Sequence, residues 1–327
     1  MRAFHPHPWL RNRHAMTLLA SKWPRHFPRL PAAEDRLFET EPGTRLLGHC
    51  HWQPEPAEHP TLVLVHGLEG SSLSSYMRGA AEKAWLAGFN AIRMNQRNCH
   101  GTEHLSPGLY NSGLSGDYRA VALELIARDA LPELFFAGHS MGGNLVLKMA
   151  GDFGAAAPPQ LRGIVAVSPS LELAACADAL GEPRNAFYQW HFVRNLKLRY
   201  RTKVALFPER YTLDGLDRIN SVREFDDKIT APYCGYRDAN HYYHSASALR
   251  VAAHIRVPTL ILTAGDDPFI PVAPFSDPAL RANPNIEVVV PAHGGHCGFV
   301  SSAPGEEKYW AEARIVEFCL AKSVLKR

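Results

Sequence analysis

No apolar run in the chain approaches the ~20 residues that a helix needs to cross a bilayer, which predicts a soluble protein. Nor is a secretory signal expected. The longest apolar stretch near the start, Ala15-Met16-Thr17-Leu18-Leu19-Ala20, is broken at Thr17 and no small-residue cleavage site follows, so a cytoplasmic location is the expectation. Cys-x-x-Cys pairs are missing too. Cys50, Cys99, Cys176, Cys234, Cys297 and Cys319 are dispersed, which excludes a disulfide framework or a zinc ribbon and fits a reducing compartment. Net charge is nearly absent: 35 Lys+Arg against 32 Asp+Glu leave +3, an argument against a strongly basic nucleic-acid binder. Repeats and low-complexity tracts are lacking, and the hydrophobic fraction of 46% excludes wholesale disorder. The oligomeric state is not written in these features.

What is present is a chain of 327 residues, long for one domain but within the range of a single elaborated α/β sheet. Residues 1–34 form a basic arm. Arg2, Arg11, Arg13, Lys22, Arg25 and Arg29 occur there with no acid before Glu34, interleaved with Trp9 and Trp23. Such an arm either packs on its own domain or makes weak contact with an anionic membrane surface. The remaining residues, 35–327, read as the main domain.

That domain opens with a β-hairpin, Leu37–Thr40 and Leu46–Trp52, joined through Pro42-Gly43. Thr61-Leu62-Val63-Leu64-Val65 is continuously apolar, the pattern of a strand buried on both faces of a mostly parallel sheet. Similar short runs at Asn90–Met94, Leu134–Ala137, Ile164–Val167, Thr259–Thr263 and Ile286–Val290 alternate with helical segments at Met77–Ala87, Tyr118–Ala127 and Leu145–Ala150. The expected fold class is therefore α/β, a doubly wound and mostly parallel sheet with an N-terminal hairpin. One interval breaks the rhythm. Between Ser168-Pro169 and Val257-Pro258 no inner strand is apparent, and twelve aromatic residues fall between Phe187 and Tyr243. Residues 170–250 are read as an inserted cap or lid, whose rings either form its own small core or also line a ligand pocket.

The chemistry centres on Gly138-His139-Ser140-Met141-Gly142, a G-x-S-x-G placed directly after a buried strand and directly before a helix. The bare pattern is weak; its setting is strong. A tight strand-to-helix turn strains the serine and projects its Oγ above the sheet, so Ser140 is the expected nucleophile. A serine hydroxyl needs a histidine base, and in hydrolases built on such a turn an acid and then a histidine follow in chain order. Only His293 and His296 lie beyond the last eligible acid. Both sit in the Gly-rich segment after Ile286–Val290; His296 is preferred, with His293 as the fallback. The acid falls after Thr259–Thr263, where Asp267, pinned by Pro268, is preferred over Asp266. The oxyanion donors are expected to be the backbone N–H groups of Met141 and Leu68. His66 and His139, beside these elements, are read as structural. The H-x-x-H pairs His293/His296 and His241/His244 lack a nearby carboxylate or helical pattern, so no metal is expected.

Taken together, these segments resemble the α/β-hydrolase superfamily, and more narrowly its YheT-like branch, related to abhydrolase-domain lipases. The resemblance runs through Asn12-Arg13-His14-Ala15-Met16-Thr17, His66-Gly67-Leu68-Glu69-Gly70, Arg97-Asn98-Cys99-His100-Gly101, the Ser140 turn with Asn144, Asp266-Asp267-Pro268-Phe269 and Gly294-Gly295-His296-Cys297-Gly298-Phe299. Arg13 stands where Pro is usual in that branch, and Asn98 where Gly is usual. The resemblance implies an α/β-hydrolase fold and a serine esterase or lipase-like activity on carboxylic esters with an acyl chain, without a cofactor. Acyl transfer through the same three residues is the nearest alternative, and a non-catalytic lipid-binding protein on the hydrolase scaffold a more distant one. The expected partner is a small-molecule or lipid ester, not nucleic acid.

Overall fold

The computed structural model describes residues 3–325. Strands β1 (Glu34–Glu41), β2 (Thr44–His51), β3 (Thr61–Val65), β4 (Asn90–Met94), β5 (Leu134–His139), β6 (Leu161–Val167), β7 (Thr259–Leu262) and β8 (Ile286–Val289) form one sheet. Its order is β1-β2-β4-β3-β5-β6-β7-β8. The hairpin β1/β2 and the pair β2/β4 are antiparallel, and every later pairing is parallel. Gly43, at φ +75°, makes the hairpin turn.

The continuous apolar character of the inner strands has a direct cause. Every residue of β3, β4 and β5 is buried, because helices cover both sheet faces. Alternate residues point to opposite layers. Val63, Ile92 and Phe136 meet α3 (Ser115–Asp129) and α4 (Met141–Phe153), whereas Leu62, Ala91 and Phe135 meet α2 (Ser75–Leu86) and the C-terminal helix Trp310–Lys322. The parallel register puts Val63 beside both Ile92 and Phe136, so one-residue slippage would expose neither face to water but would mismatch both cores. Burying each such side chain contributes about 1.5–3 kcal/mol.

The arm holds a helix that its sequence does not advertise, α1 (Arg13–Lys22), since no apolar period marks it. Asn12 caps it by accepting the N–H groups of His14 and Ala15 at 2.9 and 3.1 Å. Arg13 takes the first helical position, the one most favourable to proline, which is why either residue fits there. Leu10 and Met16 are buried against Val300, and Arg25 makes a two-pronged ion pair with Glu312 at 2.5 and 2.8 Å. Arg2 lies outside the described residues. No described helix is long and apolar enough to cross a membrane.

Between β6 and β7 the described chain is helical, with α5 (Leu173–Gly181), α6 (Ala186–Leu206) and the shorter Ala239–Ala246. The aromatic residues divide between the two roles considered for them. Tyr211 and Tyr233 pack their rings 4.9 Å apart within the insertion, whereas Phe192, Tyr200, Phe225, Tyr242 and Tyr243 line a cavity beneath it. Asn98 has φ +63°, the left-handed conformation that glycine adopts without strain and asparagine tolerates. Its side chain compensates: Nδ2 donates to Gly108 O at 2.9 Å and Oδ1 accepts from Lys203 Nζ at 2.9 Å.

Candidate active site

Ser140 sits between the last residue of β5 and the first of α4 with φ 53° and ψ −119°. A non-glycine residue in this region costs of the order of 1–3 kcal/mol and persists only where its surroundings hold it. Here its N–H donates to Val167 O at 2.8 Å, and its carbonyl accepts from Asn144 and Ser170 N–H at 3.1 and 3.3 Å. The flanking glycines are required by contact: a Cβ on Gly138 would collide with the Gly142 backbone, and one on Gly142 with the carbonyls of Val65 and His66. Any larger residue would pry β5 from α4 or α4 from β3.

Two histidine–aspartate pairs form beyond β7 and β8. His296 Nδ1 donates to Asp267 Oδ2 at 2.9 Å, with 12% and 0% of the two side chains exposed. His293 Nδ1 meets Asp266 Oδ2 at 3.2 Å, with 44% and 19% exposed. The pairs face different spaces. His296 and Ser140 line one cleft; His293 faces a shallow surface depression near Phe4 and Trp310. Asp267 also caps its own turn, for its Oδ1 accepts the N–H groups of Phe269 and Ile270 at 3.1 and 2.9 Å. Asp266 instead accepts the N–H of Gly295 at 2.9 Å, fastening the histidine loop. Burial opposes a charge on His296, but the neighbouring Cys297 sulfur and the Asp267 carboxylate outweigh it and raise its pKa above the ordinary value.

Ser140 lies where two spaces meet. Beneath the insertion is a largely apolar cavity of about 120 Å³, whose walls include Leu173, Leu180, Leu196 and Ile270. Lys203 and Asp226 in its lining are already hydrogen-bonded. Lys203 gives its protons to Asn98 Oδ1, Glu103 O and Ser106 O, and Asp226 accepts from Thr230 and Tyr243 hydroxyls at 2.7 and 2.8 Å. On the other side of Ser140 a cleft of about 450 Å³ runs between α1 and α6, and His296 stands in it under the Phe269 ring, 4.2 Å between centroids. Leu68 borders both spaces, and Met141 the cavity.

His66 and His139, beside the Leu68 loop and the Ser140 turn, have burial-fixed states. Burial lowers His66 to about 4 despite its bond to Gly67 O, and lowers His139 to about 3 with the charge of His296 adding to the effect. Both stay neutral at pH 7. His66 Nε2 accepts the Gln96 N–H at 3.1 Å and its Nδ1 donates to Gly67 O at 2.8 Å, tying the loop after β3 to the loop after β4.

Sequence reasoning gave no role to three groups that brace this site. Glu69, directly after Leu68 and at φ +57°, receives two bonds from Arg199 of α6 at 3.1 and 2.9 Å and the hydroxyl proton of Tyr110. Thr17 Oγ1 in the arm accepts the N–H of His296 at 2.8 Å and donates to Arg13 O at 2.7 Å. Asn144 of α4 binds Ser112 O, Ala246 O and the N–H of Ala248 at 3.0, 2.9 and 2.7 Å, securing the end of the insertion. Glu69, Thr17 and Asn144 stand inside segments that carry the family resemblance, which was the available signal; Arg199 and Tyr110 had none.

Comparison with known proteins places the chain. Over 272 residues the chain is 32% identical to "Putative esterase YheT" of Escherichia coli (strain K12), covering 82% of this chain and 79% of that protein. It is 30% identical to "Phospholipase ABHD3" of Mus musculus over 75% of this chain, but spans only 60% of that relative's length. Among solved structures, the Pyrococcus furiosus esterase Pf2001 superposes with a TM-score of 0.58 at 17% identity, covering 89% of this chain and 92% of that one, a likeness of fold. The profile of the alpha/beta hydrolase family matches residues 62–307, the span from β3 past the His296 loop. The chain belongs to the alpha/beta hydrolase family, in its YheT-like branch, among relatives of esterase and lipase type.

Proposed function

We propose that this chain is a serine hydrolase that cleaves carboxylic esters bearing an acyl chain, through an acyl-serine intermediate. The observation that carries the reading is the position of Ser140 at the junction of an apolar cavity and a wider cleft, with His296 in the cleft and Asp267 buried behind it. In this reading Ser140 Oγ attacks the ester carbonyl while His296 Nε2 takes its proton. Asp267 keeps the other ring proton on Nδ1 and stabilises the imidazolium. The negative oxygen is met by the N–H groups of Leu68 and Met141, and the α4 N-terminus adds a favourable field. His296 then protonates the departing alcohol, and a water entering by the cleft cleaves the acyl-serine by the reverse sequence. Residues 35–327 act as the hydrolase domain in this scheme, with 170–250 as its cap, and the arm 1–34 braces the histidine loop through Thr17. The phospholipase name of one relative adds weight to a lipid ester.

The cavity beneath the cap sets the acyl specificity. Each methylene transferred into it contributes ~0.8 kcal/mol until the wall is reached. Among p-nitrophenyl esters kcat/KM is expected to rise from acetate to a longer chain and then fall, a series measured with one leaving group throughout. A monotonic decline from acetate would reject the acyl cavity. A fluorophosphonate probe tests the nucleophile independently, since adduct formation mapped by peptide mass to Ser140 requires an activated hydroxyl.

The Glu69–Arg199 pair joins the cap to the loop of Leu68, with 6% and 14% of the two side chains exposed. Arg199→Met leaves the Glu69 carboxylate buried without its counter-charge, an expected loss of about 3–5 kcal/mol. Restoring neutrality with Glu69→Gln in the same chain is expected to recover part of the melting temperature. In Arg199→Met, kcat is expected to fall more than KM rises, because the adjoining Leu68 N–H serves the transition state.

A further inference from the structure

The cleft that holds Ser140 and His296 opens between two helices that carry the same surface chemistry. α1 shows Leu19 at 44% exposed and Trp23, the residue that ends it, at 50%, and α6 shows Phe187 at 57% and Trp190 at 59%. The helices adjoin across the cleft: His14 Nδ1 lies 3.2 Å from the Tyr188 hydroxyl, and Lys22, Phe187 and His191 border the same space. The His191 pKa is lowered by burial and then by the Lys22 charge. Cations accompany the rings on both sides. Lys308 Nζ sits 4.6 Å from the Trp23 ring centre and Arg194 Cζ 6.0 Å from that of Trp190. Among the described ion pairs, Arg11, Arg13, Lys22 and Arg194 have no carboxylate partner, whereas the acids of the cleft, Glu69 and Glu312, are paired with Arg199 and with Arg25 and Lys83.

Large aromatic residues left in water beside unpaired cations are costly for a free surface and favourable at one kind of boundary, the headgroup layer of a bilayer. There indole and phenyl rings enter the acyl–headgroup interface while Lys and Arg remain with anionic lipid. We propose that the rim formed by α1, with Arg11 before it and Trp23 after it, and the N-terminal half of α6 docks on an anionic lipid surface, so that the cleft opens toward the membrane and draws a lipid ester from it. The proposal rests on the lipid-ester reading for its purpose, but not for its measurement. Trp23 and Trp190 line neither space beside Ser140, so changing them leaves the reaction centre intact.

The test is sedimentation of the full chain with vesicles of phosphatidylcholine alone, or with a third of the lipid replaced by phosphatidylglycerol. The wild-type chain is expected to co-sediment with the anionic vesicles, weakly with the neutral ones, and less as salt rises. Trp23→Ala/Trp190→Ala and, separately, Arg11→Glu/Arg194→Glu are expected to lower the bound fraction roughly fivefold or more at subsaturating lipid. Both should keep the wild-type melting temperature and hydrolysis of a soluble p-nitrophenyl ester. No binding to anionic vesicles at low salt, or equal binding by both variants, overturns the proposal. A lipid-independent dimer that the tryptophan variant abolishes overturns it as well, assigning the face to a second copy. Vesicle binding without ester hydrolysis would instead sink the hydrolase reading and leave the docking face standing.

Discussion

Ser140→Ala is expected to lower kcat for any ester by roughly 10⁴–10⁶-fold, the range by which serine hydrolases depend on their nucleophile. Stability should scarcely change. The strained backbone at φ 53° is held by main-chain bonds to Val167, Asn144 and Ser170, none of which uses the hydroxyl. Alanine pays the same conformational cost as serine at this position, and its methyl group occupies the space of the original Cβ. The measurement pairs steady-state turnover with thermal melting, and adds loss of the fluorophosphonate adduct as a second readout. Turnover near wild type in a purified variant would remove Ser140 from the mechanism. A variant that melts well below wild type would show that the hydroxyl supports the turn itself.

Asp267→Asn is expected to be the second most damaging change, costing about 10⁴ in kcat because the amide no longer fixes the Nδ1–H tautomer of His296 or stabilises its cation. Asp266→Asn should retain most activity. Its asparagine can still accept the Gly295 N–H, and the partly exposed pair with His293 is worth only about 0–1 kcal/mol. The pH profile separates orientation from mere structure. The base must be neutral to accept the serine proton, so activity rises with pH through the His296 pKa, which the site holds above the ordinary imidazole value. Removing the Asp267 charge lowers that pKa, and the acid limb of the residual activity should move to lower pH. In Asp266→Asn the limb should stay in place. If Asp266→Asn were the variant whose kcat collapsed, the acid would be displaced by one residue from the position proposed here.

The near-identity of the two Asp–His pairs explains why a linear sequence cannot rank them by composition. Asp266 and Asp267 are adjacent, and each finds a histidine at a comparable distance, 3.2 and 2.9 Å. Only burial and the direction of the loop separate them, turning His296 into the cleft of Ser140 and His293 toward the surface.

Much of the scaffold was determined by the sequence alone. A run such as Thr61–Val65, apolar at every position, can be satisfied only where both faces are covered, and a glycine on each side of Ser140 at two-residue spacing permits contacts that any Cβ forbids. Strand ends were less legible: β5 runs to His139 and β6 starts at Leu161, because Gly138, His139 and Gly163 are small or polar and pair through backbone groups that carry no side-chain signature. Helix α4 likewise begins at Met141, four residues before its apolar period is evident, since the glycines of the turn mask it.

The tertiary structure decided what depends on residues distant in the chain. Thr17 meets His296 across 279 positions, and Arg199 meets Glu69 across 130, contacts for which no local pattern exists. It also divided the aromatic residues between β6 and β7 between core and cavity and left Trp23 and Trp190 exposed to solvent. The physical reason is common to all of these. Periodicity and turn chemistry act over a few residues and are written locally, whereas burial, ion pairing and the shape of a cavity arise only when separate elements close on one another.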